Sequence, residues 1–419
     1  MTIPPLPHGS NTSRFGLSGA AEALVALSRR GGADGFPSES GLGAVPFQKA
    51  VVALAEQQSV LGLVLVELAR SGRLDALTAE AGFDAAGHLR LLHRQAAMWD
   101  LERDSVLTRL SRHGINPLLL KGAALRLTAY RDSAERDLAD LDLLVPREML
   151  EPAVAALGEA GYQPESEDRA RRYLAHHHHL ILKKPAGFVV EVHWALALAQ
   201  SPYALDHAAF LREAHTLTTP SGLRVSLPSP EHMVVHLAQQ NLEDGFTLLR
   251  RLVDVDRVIS GAPAFDWSRL AAESKRMRQQ GAMALTLQLA NRLLGTAVPR
   301  GFIDGLELSG PARAHLALLD PVGVVLEQRG LRAAIHDLLV LWCLPDFGGR
   351  VRLLKQMVTG EWGRDWRVLE LAGDPKGTAR FVPLLKLAVC QALLYPAGLV
   401  RGARAGSGRG VGFWRDWTH

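Results

Sequence analysis

Between Phe47 and Ser71 apolar residues return at helical intervals, on Leu54, Val60, Leu61, Val64 and Leu65, and Gly72 closes the run; one long amphipathic helix is expected. A second is expected from His88 to His113, on Leu89, Leu92, Ala96, Leu101, Val106 and Leu110, ending at Gly114. The period then changes. Leu118-Leu119-Leu120 is a short apolar run that meets Lys121-Gly122 and passes into good helix formers from Ala123 to Tyr130: a strand, a tight turn and a helix start. Leu138 to Val145 is a second apolar run, interrupted only at Asp140 and Asp142. Phe188 to Trp194 is a third, interrupted at Glu191, and the turn Pro185-Ala186-Gly187 joins it to Leu180-Ile181-Leu182 as a hairpin. A helix from Pro146 to Gly161 lies between the second run and a charged segment, Glu165 to Arg172. From Ser229 the period is helical again, with helices opening at Pro230, running from Phe246 to Ile259, and filling Trp267 to Leu294 as a pair.

These periods predict an α/β (α+β) protein: a small mixed-sheet core embedded in a largely helical chain. The expected divisions are a mobile Gly/Ser/Pro-rich leader over 1–46, with a helical patch from Ala20 to Arg29; N-terminal helices over 47–114; the α/β core over 115–228; a helical domain over 229–299; and a C-terminal helical region with a flexible basic tail over 300–419. The leader lacks the basic and apolar regions of a signal peptide. In the last region Val382 to Val400 is nearly long enough to span a bilayer, but Lys386, Gln391 and Pro396 interrupt it. Arg401, Arg404, Arg409 and Arg415 behind it leave contact with a membrane surface open.

Composition changes little. Forty-seven Lys and Arg against 43 Asp and Glu give +4, which permits a nucleic-acid partner without arguing for one. Two cysteines, Cys343 and Cys390, stand far apart and indicate no disulfide framework or zinc site, so a reducing cytoplasm fits. No GxxxxGK[ST] loop, GxSxG elbow or internal repeat is present.

The candidate chemistry lies in the interruptions. A strand alternates its faces, so Asp140 and Asp142 point the same way, with Leu141 and Leu143 opposite. Two acids so close repel unless a cation sits between them. An isolated Asp-Leu-Asp is ordinarily a solvated strand end; here it has company in the Lys-Gly turn, in Arg136 and in Glu191. Gly122 lets the backbone approach a ligand, and the first amides of the following helix are unpaired donors suited to phosphate. His193 shares the face of Glu191 and either orients that acid, contacts substrate or is a satisfied structural histidine; Trp194 faces the other way, toward the core. Of His176 to His179 at most two can share a strand face, and a polar strand beside the cleft is preferred to a dedicated metal site. His232 and His236 have a zinc-like i, i+4 spacing without an HExxH, and a polar stripe on a buried helix is the preferred reading.

The order strand-Lys121-Gly122-Ala123, Arg136, Asp140-Leu141-Asp142-Leu143-Leu144-Val145, Gly161-Tyr162 and Glu191-Val192-His193-Trp194 resembles the uncharacterised nucleotidyltransferase-like family of the DNA polymerase beta superfamily, over roughly Leu89 to Pro299. The resemblance implies a nucleotidyltransferase core in which Asp140, Asp142 and Glu191 are the catalytic acids and the ligands of two Mg²⁺ ions. It implies that Lys121 and Gly122 bind the nucleotide phosphates; His193 is a substrate-binding candidate from its shared face with Glu191, and Arg136 either binds phosphate or pairs with an acid, the pair being favoured. Asp254 stands where the family tends to place an aspartate, and either approaches the cleft or bonds a neighbouring backbone. One departure is Ala123, where the superfamily usually has serine, which leaves triphosphate contacts to the backbone and Lys121. The implied activity is transfer of a nucleoside monophosphate from a nucleoside triphosphate such as ATP to a peptide, protein, small molecule or RNA, in a bacterial setting that often makes modified peptides. A kinase-like phosphotransferase on the same scaffold is one alternative. A non-catalytic nucleotide- or peptide-binding partner, in peptide maturation or a toxin-antitoxin pair, is the other, and intact acids weigh against it.

Overall fold

The computed structural model describes residues 19–30, 45–77, 83–198, 201, 203, 205–318, 321, 325–326, 341–344 and 347–359. Helices α1 (Gly19–Ser28), α2 (Val45–Gln57), α3 (Leu61–Arg70) and α4 (Ala85–Arg112) precede the sheet. The expected single helix over Phe47 to Ser71 is two. Ser59 takes a left-handed φ of 56° and ends α2, while the buried Gln58 side chain accepts from the Leu249 amide at 2.7 Å. A helix start far along the chain thus satisfies a group that local periodicity would have left inside one continuous helix. Helix α1 lies within the leader and is packed: Leu24 and Leu27 are buried, and the Arg29 guanidinium donates to the Leu293 carbonyl. Asp84 caps α4, accepting from the Gly87 amide.

Six strands make one mixed sheet: β1 (Leu118–Leu119), β2 (Leu141–Leu144), β3 (His179–Lys183), β4 (Val189–His193), β5 (His215–Thr218) and β6 (Arg224–Leu227), in the order β3-β4-β2-β1-β6-β5. The central β2 runs parallel to β4 and antiparallel to β1, and β1 runs parallel to β6. The β5-β6 hairpin has no counterpart in the periodicity reading, because His215–Thr218 is mostly exposed and shows no apolar alternation.

Helix α5 (Lys121–Thr128) packs on β2, α6 (Leu150–Glu159) on β4 and α4, and α7 (Glu167–His176) on β3. The charged segment after Gly161 is therefore helical. Ser166 caps α7 and only Tyr173 on it is buried, so capping and its Glu165–Arg169 and Asp168–Arg171 pairs carry it without an apolar stripe. His176 ends that helix and only His179 of the four histidines enters a strand, a correction to the expected polar strand. Gly187, at φ 90°, turns β3 into β4.

After α8 (His207–Arg212), a second helical group is centred on α9 (Pro230–Glu243), which packs against α10 (Leu249–Gly261), α11 (Trp267–Arg276) and α12 (Gln280–Leu294). Pro at the first turn and the Ser229 cap start α9 where the period predicted. Buried apolar residues from Ala20 to Leu353 form one connected core. Beyond α13 (Phe302–Gly305) and α14 (Gly310–Leu318), a further helix spans Phe347–Thr359. Most of the leader, and the whole of Val382 to Val400 and the basic tail, lie outside the described residues. Among the described residues no helix is long and apolar enough to cross a membrane.

Candidate active site

The register of the two central parallel strands puts Asp142 of β2 beside Glu191 of β4. Their neighbours Leu141, Leu143, Val190 and Val192 are fully buried on the opposite face, so both carboxylates project from the other side. Asp140 immediately precedes β2, two residues from Asp142 and therefore on the same side.

Lys121 follows β1 and Leu120 at a left-handed φ of 45°, uncommon for a residue with a side chain. That turn puts its ammonium 2.5 Å from Asp142 Oδ1 and 3.9 Å from Glu191 Oε2. His193 Nε2 lies 2.9 Å from the same Asp142 oxygen and 3.3 Å from Glu191 Oε2. Asp142, Glu191, Lys121 and His193 thus form one charge cluster at the mouth of the sheet.

The electrostatics follow from this crowding. Burial pushes the Asp140 carboxyl up, and the neighbouring Asp142 and Glu191 charges push further, to about 6. Burial works the same way on Asp142, but the Lys121 ammonium and the His193 hydrogen bond outweigh it and hold that carboxyl far below the usual range. Burial opposes the positive forms of Lys121 and His193, yet both are held above their ordinary values, Lys121 by Asp142 and Glu191 and His193 by its hydrogen bonds to the same two acids. The Lys121 ammonium and the His193 ring therefore stand against Asp142 and Glu191, and a third carboxylate beside them lacks full compensation. That donor set is oxygen-rich and short of positive charge, which suits a divalent cation, but among the described residues its three carboxylates do not make a group of donor atoms within 4.8 Å of one another.

Arg136 is turned away from this cluster. Its Nε and Nη2 donate to Asp254 of α10 at 2.9 and 3.1 Å, and Tyr130 donates its hydroxyl to the same carboxylate at 2.6 Å. Asp254 is thus engaged by side chains rather than by a backbone neighbour or the cleft. Gly122 sits where α5 meets this ion pair: a Cβ there would lie 2.6 Å from Leu138 Cδ2 and 3.3 Å from Arg136 Nη1. Its lack of a side chain lets the Arg136-to-Leu138 segment close over the helix start. Ala123 is buried.

Helix α9 carries functional candidates that the sequence reading left as a polar stripe. His236 is 3% exposed with neither ring nitrogen hydrogen-bonded, and burial, with Lys121 and His193 nearby, lowers it to about 3. Gln239 accepts from Gln279 and donates to Glu243 Oε1 at 2.8 Å. Burial raises the Glu243 carboxyl, against its hydrogen bond from Gln239. The i, i+3, i+7 spacing of His236, Gln239 and Glu243 was the available signal. His232 belongs elsewhere, 3.2 Å from Glu273 and stacked on Phe210. His179, opposite His193 across the β3-β4 hairpin, is the other addition. Trp194 lies at the core's edge under the Arg147 guanidinium.

Residues 48–295 match the model of a family described as uncharacterised nucleotidyltransferase. No curated protein matches the chain. Because the family match runs through the whole sheet, from the N-terminal helices that precede it to the end of α12, and covers more than half of the sequence, the chain belongs to this family of uncharacterised nucleotidyltransferases.

Proposed function

We propose that the protein is a Mg²⁺-dependent nucleotidyltransferase that moves a nucleoside monophosphate from a nucleoside triphosphate, ATP among them, to an acceptor hydroxyl. The observation that carries the reading is the in-register pair Asp142 and Glu191 on parallel strands, with Asp140 two residues before and raised by their charge. Asp140, Asp142 and Glu191 would hold the metal; Mg²⁺ takes oxygen ligands and, when bound, supplies the positive charge that neutralises the triphosphate and lowers the acceptor's pKa.

The chain's own residues position the reactants. The start of α5 offers unpaired amides at Gly122 and Ala123, and Lys121 adds a positive charge at the same turn. The acceptor oxygen bonds to the α-phosphorus as the bond to pyrophosphate breaks, the electron pair leaving on pyrophosphate; the acceptor proton passes to Glu191. His193, 3.3 Å from Glu191 Oε2, orients that carboxylate. Arg136 and Asp254 brace the turn from behind. Catalysis is then positioning and electrostatics. A peptide, protein, small molecule or RNA end all present a suitable hydroxyl, and maturation of a modified peptide in a bacterial cytoplasm is the setting the reading favours.

The test is transfer of label from each α-phosphorus-labelled nucleoside triphosphate, with Mg²⁺, into the protein and into cognate cell extract, comparing wild type with Asp140→Ala/Asp142→Ala. Label transferred by the wild type alone is expected. Transfer from the γ-position instead would establish the kinase-like alternative. No transfer, together with no Mg²⁺-dependent nucleotide binding by calorimetry, would sink the catalytic reading in favour of a non-catalytic partner.

A further inference from the structure

Strands β3 and β4 are antiparallel, with His179 directly opposite His193 and Ile181 opposite Glu191. Residues two apart share a strand face, so His179, Glu191 and His193 converge on one side of the sheet. One donor atom from each lies within 4.8 Å of the other two. The His179 and His193 rings stand 4.9 Å apart between centroids, and Nδ1 of each is buried without a hydrogen-bond partner. His193 is 3% exposed. His193 meets Glu191 Oε2 through Nε2 at 3.3 Å, and two imidazoles with unsatisfied buried nitrogens grouped with a carboxylate make an arrangement that a shared cation would relieve.

We propose that His179, Glu191 and His193 form a binding site for a transition-metal ion, Zn²⁺ in particular, adjoining Asp142, whose Oδ1 lies 2.9 Å from His193 Nε2. Two imidazoles and one carboxylate are a three-ligand set that zinc accepts, leaving a fourth position for water or a substrate atom. Mg²⁺ is poorly served by imidazole, so nitrogen donors here select against the ion that the aspartates suit. The site shares Glu191 and His193 with the proposed transfer chemistry but does not rest on that reading, and its test reads metal content rather than turnover.

Metal-stripped full-length protein is titrated with Zn²⁺ and Co²⁺ in excess Mg²⁺. Retained zinc is measured by plasma mass spectrometry, and nitrogen ligation by the visible Co²⁺ bands. His179→Gln lies at a partly exposed strand end, and its fold is checked by circular dichroism. The expected result is one retained zinc per wild-type chain and a loss of affinity in folded His179→Gln of more than about tenfold, the lower range for loss of a mere supporting partner. Glu191→Gln should lose affinity likewise, and His177→Gln should not. No retained zinc in the wild type, or unchanged affinity in His179→Gln, overturns the proposal. Equal loss in His177→Gln overturns the ligand set, moving the ion to His177, His178 and His179, whose donor atoms also lie within 4.8 Å of one another.

Discussion

Asp254→Asn tests whether the ion pair behind the Lys121-Gly122 turn is a structural brace. Asp254 is 2% exposed and Arg136 8%, and the guanidinium engages both carboxylate oxygens while Tyr130 holds one of them. Asparagine keeps the volume and removes the charge, leaving a buried guanidinium with Arg250 close enough to repel it. Breaking one side of a buried pair costs about 3–5 kcal/mol, and the retained amide contacts place this variant near 3. Against a total stability of about 5–15 kcal/mol that is a large fraction. Removing both charges at once, as Arg136→Met/Asp254→Leu, abolishes the uncompensated charge and should cost far less than the sum of the single changes. Urea unfolding followed by circular dichroism measures the midpoints of all four proteins. A loss under about 1 kcal/mol for Asp254→Asn, or additive single and double variants, would refute the brace.

Asp140→Asn gives a pH test. The folded carboxyl sits at about 6, above the roughly 3.9 of an unfolded aspartate. Between those values the folded state binds more protons, so the contribution of Asp140 to stability falls as pH rises through that window. The variant should match wild type near pH 4 and be more stable above about pH 6, by at most about 3 kcal/mol, in calorimetric melts without divalent metal; equal melting temperatures at both pH values would contradict the crowding argument. Gly122→Ala places a Cβ 2.6 Å from Leu138 Cδ2 and should destabilise by about 1–3 kcal/mol while shifting the Lys121-Gly122 turn. Thermal melts and nucleotide titration read the two effects, and an unchanged melting temperature would show that Leu138 yields freely.

Local periodicity carried the parts of the site that lie on regular elements. Alternation about Leu141 and Leu143 placed Asp140 and Asp142 together, and alternation about Val190 and Val192 placed Glu191 with His193, because a strand's faces are set by its own two-residue repeat. The Lys121-Gly122 turn was legible for the same local reason. The second strand hairpin and α7 were not, since an exposed edge strand and a helix held by its cap and ion pairs show no apolar period.

What the sequence by itself determined, then, is which acids share a face, that a helix follows the first strand, though it opens at Lys121 rather than Ala123, and that helices flank a small mixed sheet. Tertiary structure decided the partners. It broke the first long helix at Ser59 so that Gln58 could meet Leu249, turned Arg136 toward Asp254, and set the Lys121 ammonium on Asp142. It also brought His179 opposite His193 and His236 toward the acids. These choices join residues tens to nearly two hundred positions apart, and they are settled by which buried charge or amide finds its complement across the packed core, a balance that no local repeat encodes.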